Sequence, residues 1–89
     1  MTIKAIYDNG GKTTDRYTVY YNEVYSQFAG VTLWEGRGMS ENPFHACGVG
    51  MSIGGMIGKH NGKKIKFTDL PEPCRKLIKN DLKKTTTNH

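Results

Sequence analysis

The side chains best suited to chemistry in this sequence are His45, Cys47, His60 and Cys74. Imidazole and thiolate are the ligand types of a tetrahedral zinc site, but zinc-binding chains pair them closely, as C-x₂₋₄-C and H-x₃₋₅-H. Neither spacing occurs here, and Cys74 falls on an apolar helical stripe, where a buried thiol is the commoner use. The reading is no metal and no cofactor. Cys47 with His45 or His60 also supplies a nucleophile and a base, the minimum for covalent catalysis. No oxyanion-stabilising motif accompanies the pair, and an unreactive loop cysteine outweighs it. The carboxylates Asp8, Asp15, Glu35 and Glu41 are scattered over turns and strand ends instead of paired. In GGMIGKH, Gly58-Lys59 resembles the end of a phosphate-binding loop. Ile53, however, stands where the first glycine belongs, and His60 where the hydroxyl belongs. The sequence therefore predicts no enzyme.

Charge offers a second kind of chemistry. The chain of 89 residues carries a net charge of +5. Residues 1–58 hold four basic and five acidic side chains, whereas residues 59–89 hold nine basic and three acidic. Such asymmetry hints at an anionic partner. Lys64 and Lys66 flank a short apolar alternation, and Arg75, Lys79 and Lys83 form an i, i+4, i+8 row. Together these five are the candidate nucleic-acid contacts. A solvated helix face competes with that reading, and no aromatics are interleaved for base stacking.

The elements that would position these groups follow from periodicity. Ile3, Ala5 and Tyr7 alternate with Lys4, Ile6 and Asp8, Asn9-Gly10-Gly11 is a turn signal, and Tyr17, Val19 and Tyr21 share one face of a second run. The spacing predicts a β-hairpin over residues 3–21. Residues 22–30 read either as a turn or as an extension of the second strand. Val31 to Glu35 reads as a third strand, and Ile65 and Phe67 as a fourth. Leu70, Cys74, Leu77, Ile78 and Leu82 recur every three or four residues, an apolar helical stripe capped by Asp69, with Glu72 reaching back. Pro73 leaves its first residue open between 70 and 73.

These elements predict an α+β fold, an antiparallel sheet of three to five strands with one C-terminal amphipathic helix packed on it. One domain spans residues 1–84, and residues 85–89 form a disordered tail. The expected core is Ile3, Ala5, Tyr17, Val19, Val31, Leu33, Ile65, Phe67, Leu70, Leu77, Ile78 and Leu82. Residues 36–62 hold eight of the eleven glycines and read as a long loop, with a strand through Val49, Met51 and Ile53 as the alternative. No run approaches the ~18 apolar residues of a membrane span. Together with the lack of a signal-peptide pattern, this predicts a cytoplasmic protein with no membrane partner. Two cysteines are too few for a disulfide framework and read as reduced thiols, a Cys47–Cys74 bridge staying open.

Four pieces of the chain occur together in a recognisable way: YDNGG at 7–11 with DRYTVYY at 15–21, GMSENPFH at 38–45, and GKKIKFTDLP at 62–71. In this the chain resembles a family of small uncharacterised phage and prokaryotic proteins. Where that family continues Pro-Gln-Gly-Phe, this chain has Ala46-Cys47-Gly48-Val49. The resemblance implies a phage accessory protein acting inside the bacterial cell. Two functions are consistent with it. The first is a non-catalytic binding protein that inhibits a host protein or ribonucleoprotein complex, an anti-defence factor such as an anti-CRISPR. Its expected surface is Trp34, Met39, Asn42, Phe44, His45, Met51 and Met56, with a homodimer interface as the rival use of the same groups. The second is a nucleic-acid-binding accessory protein using the basic C-terminal third.

Overall fold

The structure is a computed structural model that describes residues 1–86. Five strands, β1 (Ile3–Asp8), β2 (Tyr17–Phe28), β3 (Val31–Met39), β4 (Gly50–Gly55) and β5 (Lys63–Lys64), precede one helix, α1 (Glu72–Thr86). The strands form a single antiparallel sheet in the order β4-β3-β2-β1-β5. The fold is α+β, with α1 across one face.

The first hairpin forms where the turn residues direct it. Gly10 and Gly11 both have positive φ, +78° and +86°, which a side chain would strain. Asp8 Oδ1 accepts from the Gly10 amide, and Asn9 Oδ1 from those of Gly11 and Lys12. The loop keeps Thr13 through Arg16, so β2 opens at Tyr17 and then runs twelve residues to Phe28. Residues 22–28 thus extend the strand, one of the two options open in the sequence.

Alternation sorts side chains onto two faces. Ile6, Tyr17, Val19, Tyr21 and Met39 meet Leu70, Cys74 and Ile78 of the C-terminal segment in the main core, with Ile3, Ile65, Phe67, Leu77 and Leu82 at its margin. Ala5, Tyr7 and Tyr20 form a smaller cluster on the opposite face with Trp34, Ile53 and Ile57. Ile3 and Ala5 therefore do not share a face, contrary to simple alternation. A register shift lies between them, with Ile3 opposite Tyr21 and Ala5 opposite Tyr20, and the extra residue, Lys4, flips the parity.

Five further expectations change. Residues 36–62 are not one loop: β3 continues to Met39, β4 occupies Gly50–Gly55, and a 3-10 turn forms at Lys59–Asn61. The fourth expected strand shifts to Lys63–Lys64, beside Asp8 and Tyr7. Ile65 adds one bond to Ile6 before Phe67 enters a 3-10 turn at Phe67–Asp69. Asp69 caps that turn, accepting from the Lys66 amide at 3.0 Å, and α1 starts at Glu72 beyond Pro71. Val31 is exposed rather than core, and Leu33 only partly buried. At the C-terminus, helix reaches Thr86, two residues into the expected tail; residues 87–89 lie outside the described residues.

Candidate functional site

The 40–49 connection between β3 and β4 is built on Ser40. Its amide donates to the Val49 carbonyl at 2.8 Å, and its Oγ accepts from the Val49 amide at 2.9 Å, closing the loop at its neck. Inside, Asn42 Oδ1 accepts from the Phe44 amide and Asn42 O from the His45 amide. His45 Nδ1 accepts from the Cys47 amide at 3.1 Å. The Cys74 thiol, pushed up to a pKa of about 11 chiefly by burial, donates to the Ser40 carbonyl at 3.2 Å and ties the loop to α1.

Against this loop lies an open depression of about 360 Å³, bordered by Arg16, Glu41, His45 and Cys47. It is the one place where the suspected thiol and imidazole meet. The hydrogen bond between them runs from the Cys47 amide, not from its thiol, and holds the loop together. His45 Nδ1 is occupied by a backbone amide, and the Cys47 thiol has no hydrogen-bond partner among the described residues. Arg16, the cation an anionic ligand would need, is already committed. Its Nε and Nη2 bond Asp8 at 2.8 and 3.1 Å, and its Nη1 bonds Glu41 at 2.7 Å. The Arg16 hydrogen bond, working against a smaller cost of burial, holds the Asp8 carboxyl below its usual range. Among the described residues no group of three or more His, Cys, Asp or Glu comes together to hold a metal.

The seven residues expected to form one surface are divided. Met39 is fully buried, because β3 runs four residues past its expected end and alternation turns position 39 toward α1. Phe44 is half exposed on the helix side, with Lys76 Nζ 5.6 Å from its ring centre. His45 and Asn42 stay in the exposed loop beside it. Trp34 and Met51 fall on the face away from the helix, where Lys4 Nζ stands 4.3 Å over the Trp34 ring, and Met56 is exposed just beyond β4.

That second face explains several glycines. The Tyr20 ring lies against the backbones of β3 and β4: a Cβ added at Gly36 would stand 3.0 Å from its Cδ1, and one at Gly55 2.6 Å from its hydroxyl. The hydroxyl donates to Asn61 Oδ1 at 2.9 Å, and Asn61 Nδ2 donates to the Met56 and Gly58 carbonyls. Residues 56–61 are thereby held against the sheet, with Ile57 in the small cluster. Gly36 and Gly55, part of the segment that read as a long loop, serve packing here.

The largest exposed apolar feature was not singled out from sequence. β1 last pairs with β2 at Tyr21, and β4 last pairs with β3 at Trp34. Beyond these points the two central strands continue alone as an arm, through the pairs Ser26–Leu33, Gln27–Thr32 and Phe28–Val31. Ala29 and Gly30 close it with φ of +52° and +80°, the twist a two-residue hairpin turn requires. Phe28 and Val31 are exposed on it, Phe28 to 82 %, and Val24, opposite Trp34, and Tyr25, against Gly54, are exposed at its base. The Ala29-Gly30 turn was the signal available in the sequence, and the undecided reading of residues 22–30 hid it.

The basic residues singled out in the sequence lie at two places. Lys64 and Lys66 are exposed at the β5 edge, and Lys79 and Lys83 on α1. Arg75 turns back to the Leu70 carbonyl through Nη1. Glu72, Arg75, Lys76 and Lys79 border a shallow depression of about 320 Å³ on the helix.

Comparison with protein-family models, with curated proteins and with solved structures finds no match to this chain. Among the described residues no helix is long and apolar enough to cross a membrane.

Proposed function

We propose that this chain is a non-catalytic binding protein that engages a macromolecular partner through the β2–β3 arm and the adjoining uncovered face. The observation that carries this reading is the exposed pair Phe28 and Val31 where β2 and β3 have left the sheet, with Val24 and Tyr25 exposed at the base of the arm beside β4. Exposed aromatics on a small domain are costly in water and are the groups that dominate interface energetics. Val24 stands opposite Trp34 at the base of the arm, on the face that also carries Met51, while alternation along β3 puts Val31, and Phe28 opposite it, on the side of Met39. The resemblance to phage proteins supports a host protein or ribonucleoprotein complex as the partner, with inhibition of an antiviral defence as the outcome.

The second reading, nucleic-acid binding, is favoured by the nine basic side chains of residues 59–89 and by Lys76 and Lys79 side by side on α1. Capture from bacterial lysate with and without nuclease separates the two. Partners that survive nuclease support the arm reading. Partners that vanish with it support the basic helix.

A further inference from the structure

The two edges of the sheet are treated differently. At one, β5 is only two residues long and both are lysines, the short, charged form that blocks further strand pairing. At the other, β4 presents six residues, GMSIGG, with no proline, no charge and no break in its register with β3. The neutrality extends well past the strand. From Asn42 to Gly58 there is no Lys, Arg, Asp or Glu, in a chain that is 24 % charged.

We propose that the open edge of β4 pairs with β4 of a second copy, giving a two-fold dimer with a continuous sheet. The outward groups follow from the ladder. Ser40 and Val49 are joined by a backbone hydrogen bond, and in antiparallel pairs bonded and non-bonded positions alternate. Met51, Ile53 and Gly55 therefore bond inward to β3, and Gly50, Ser52 and Gly54 turn their amides and carbonyls outward. Arg37 Nη1 already occupies the Gly50 carbonyl at 3.2 Å; among the described residues the amides of Gly50, Ser52 and Gly54 and the carbonyls of Ser52 and Gly54 have no such partner.

An axis through Ser52 satisfies these groups. Ser52 then exchanges both backbone bonds with its own copy, and Gly50 lies opposite Gly54 of the other chain. On the uncovered face Met51 lies against Ile53 of the other chain, so apolar meets apolar. Three features select a second copy over another partner. The edge offers no charge by which an anionic or cationic partner would be recognised. Two chains of net charge +5 can approach there without lysine meeting lysine. The lysine edge at β5 then stops growth, so association closes at a dimer instead of a fibre.

The test is the mass of the full chain by light scattering, from about 5 to about 500 µM, because a single strand pair is a weak interface. The expected result is a rise from 10.0 kDa to twice that value. Ser52→Pro removes the central outward amide without touching the β3 ladder, and is expected to stay monomeric with an unchanged circular dichroism spectrum. Should that variant lose its fold, Met51→Lys serves instead and is expected to weaken association at least tenfold. Ser52→Cys in a Cys47→Ser background is expected to give an oxidised dimer. Phe28→Ser, on the arm, is expected to leave the mass curve unchanged, so that failure of the arm reading and of this one are told apart. A chain monomeric throughout, a folded Ser52→Pro that still dimerises, or a dimer dissolved by Phe28→Ser would each overturn the proposal.

Discussion

At the scale of residues, the costliest polar group in the fold is Asp81, buried on α1. Burial alone would raise its pKa, yet hydrogen bonds from Arg37 and Tyr21 outweigh it and hold the carboxyl below its usual range. Arg37 forks onto both oxygens at 2.8 and 2.9 Å, and the Tyr21 hydroxyl donates at 2.6 Å. The trio joins β2, β3 and α1. Asp81→Asn strands a guanidinium that is itself mostly covered and is expected to cost about 2–4 kcal/mol, read by denaturant melting. The sign with pH follows from the depressed pKa. Stability from Asp81 is fully present above the unfolded value of 3.8 and is lost as pH falls through the lower folded value. Melting temperature is expected to fall below about pH 4, and Asp81→Asn to fall less steeply over that range. Gly36 is a second sensitive point. A Cβ there would stand 2.4 Å from the Val19 carbonyl oxygen, which is backbone and cannot swing aside, so Gly36→Ala is expected to cost about 1–3 kcal/mol by the same measurement.

At the scale of elements, legibility followed the strength of local pattern. The first hairpin and the helix stripe were plain, since Asn9-Gly10-Gly11 demands a turn and Leu70, Cys74 and Ile78 repeat at helical spacing; all three are buried. Ile78→Ala is expected to cost about 2–5 kcal/mol, and Lys79→Ala, one residue on and exposed, within about 0.5 kcal/mol. Equal melting temperatures for the pair would contradict the helix register. What the pattern could not show was long-range. Lys4 breaks alternation only because β2 supplies a partner register. Met39 is buried only because β3 outlasts its apolar start through Gly36 and Gly38. Asp69 caps a 3-10 turn because Pro71 delays the helix. The arm stayed hidden because Val24, Tyr25 and Phe28 look like core until the neighbouring strands are seen to stop at Tyr21 and Trp34.

At the scale of the molecule, chemistry is distributed by charge and by what covers each face. Positive charge gathers in the C-terminal third, the stretch from Asn42 to Gly58 that contains β4 carries no Lys, Arg, Asp or Glu, and the most exposed aromatic, Phe28, stands on the arm. The expected binding loop supplied glycines that Tyr20 packs upon, so its composition reflected an aromatic lying flat across two strands. The candidate site was legible as residue types and illegible as a place: seven residues chosen for one surface fall in the core, on the helix side and on the uncovered face.

The central claim is that the arm is kept for a partner and not for packing. The most direct measurement is capture from bacterial lysate by the Phe28→Ser/Val31→Ser variant beside the unaltered chain, each with its melting curve. The account expects the captured partner to be lost while the melting temperature stays within about 4 °C, as for exposed substitutions that cost about 0.5 kcal/mol or less. Full capture by a stably folded variant, or a melting temperature lowered as far as that of Ile78→Ala, would contradict it.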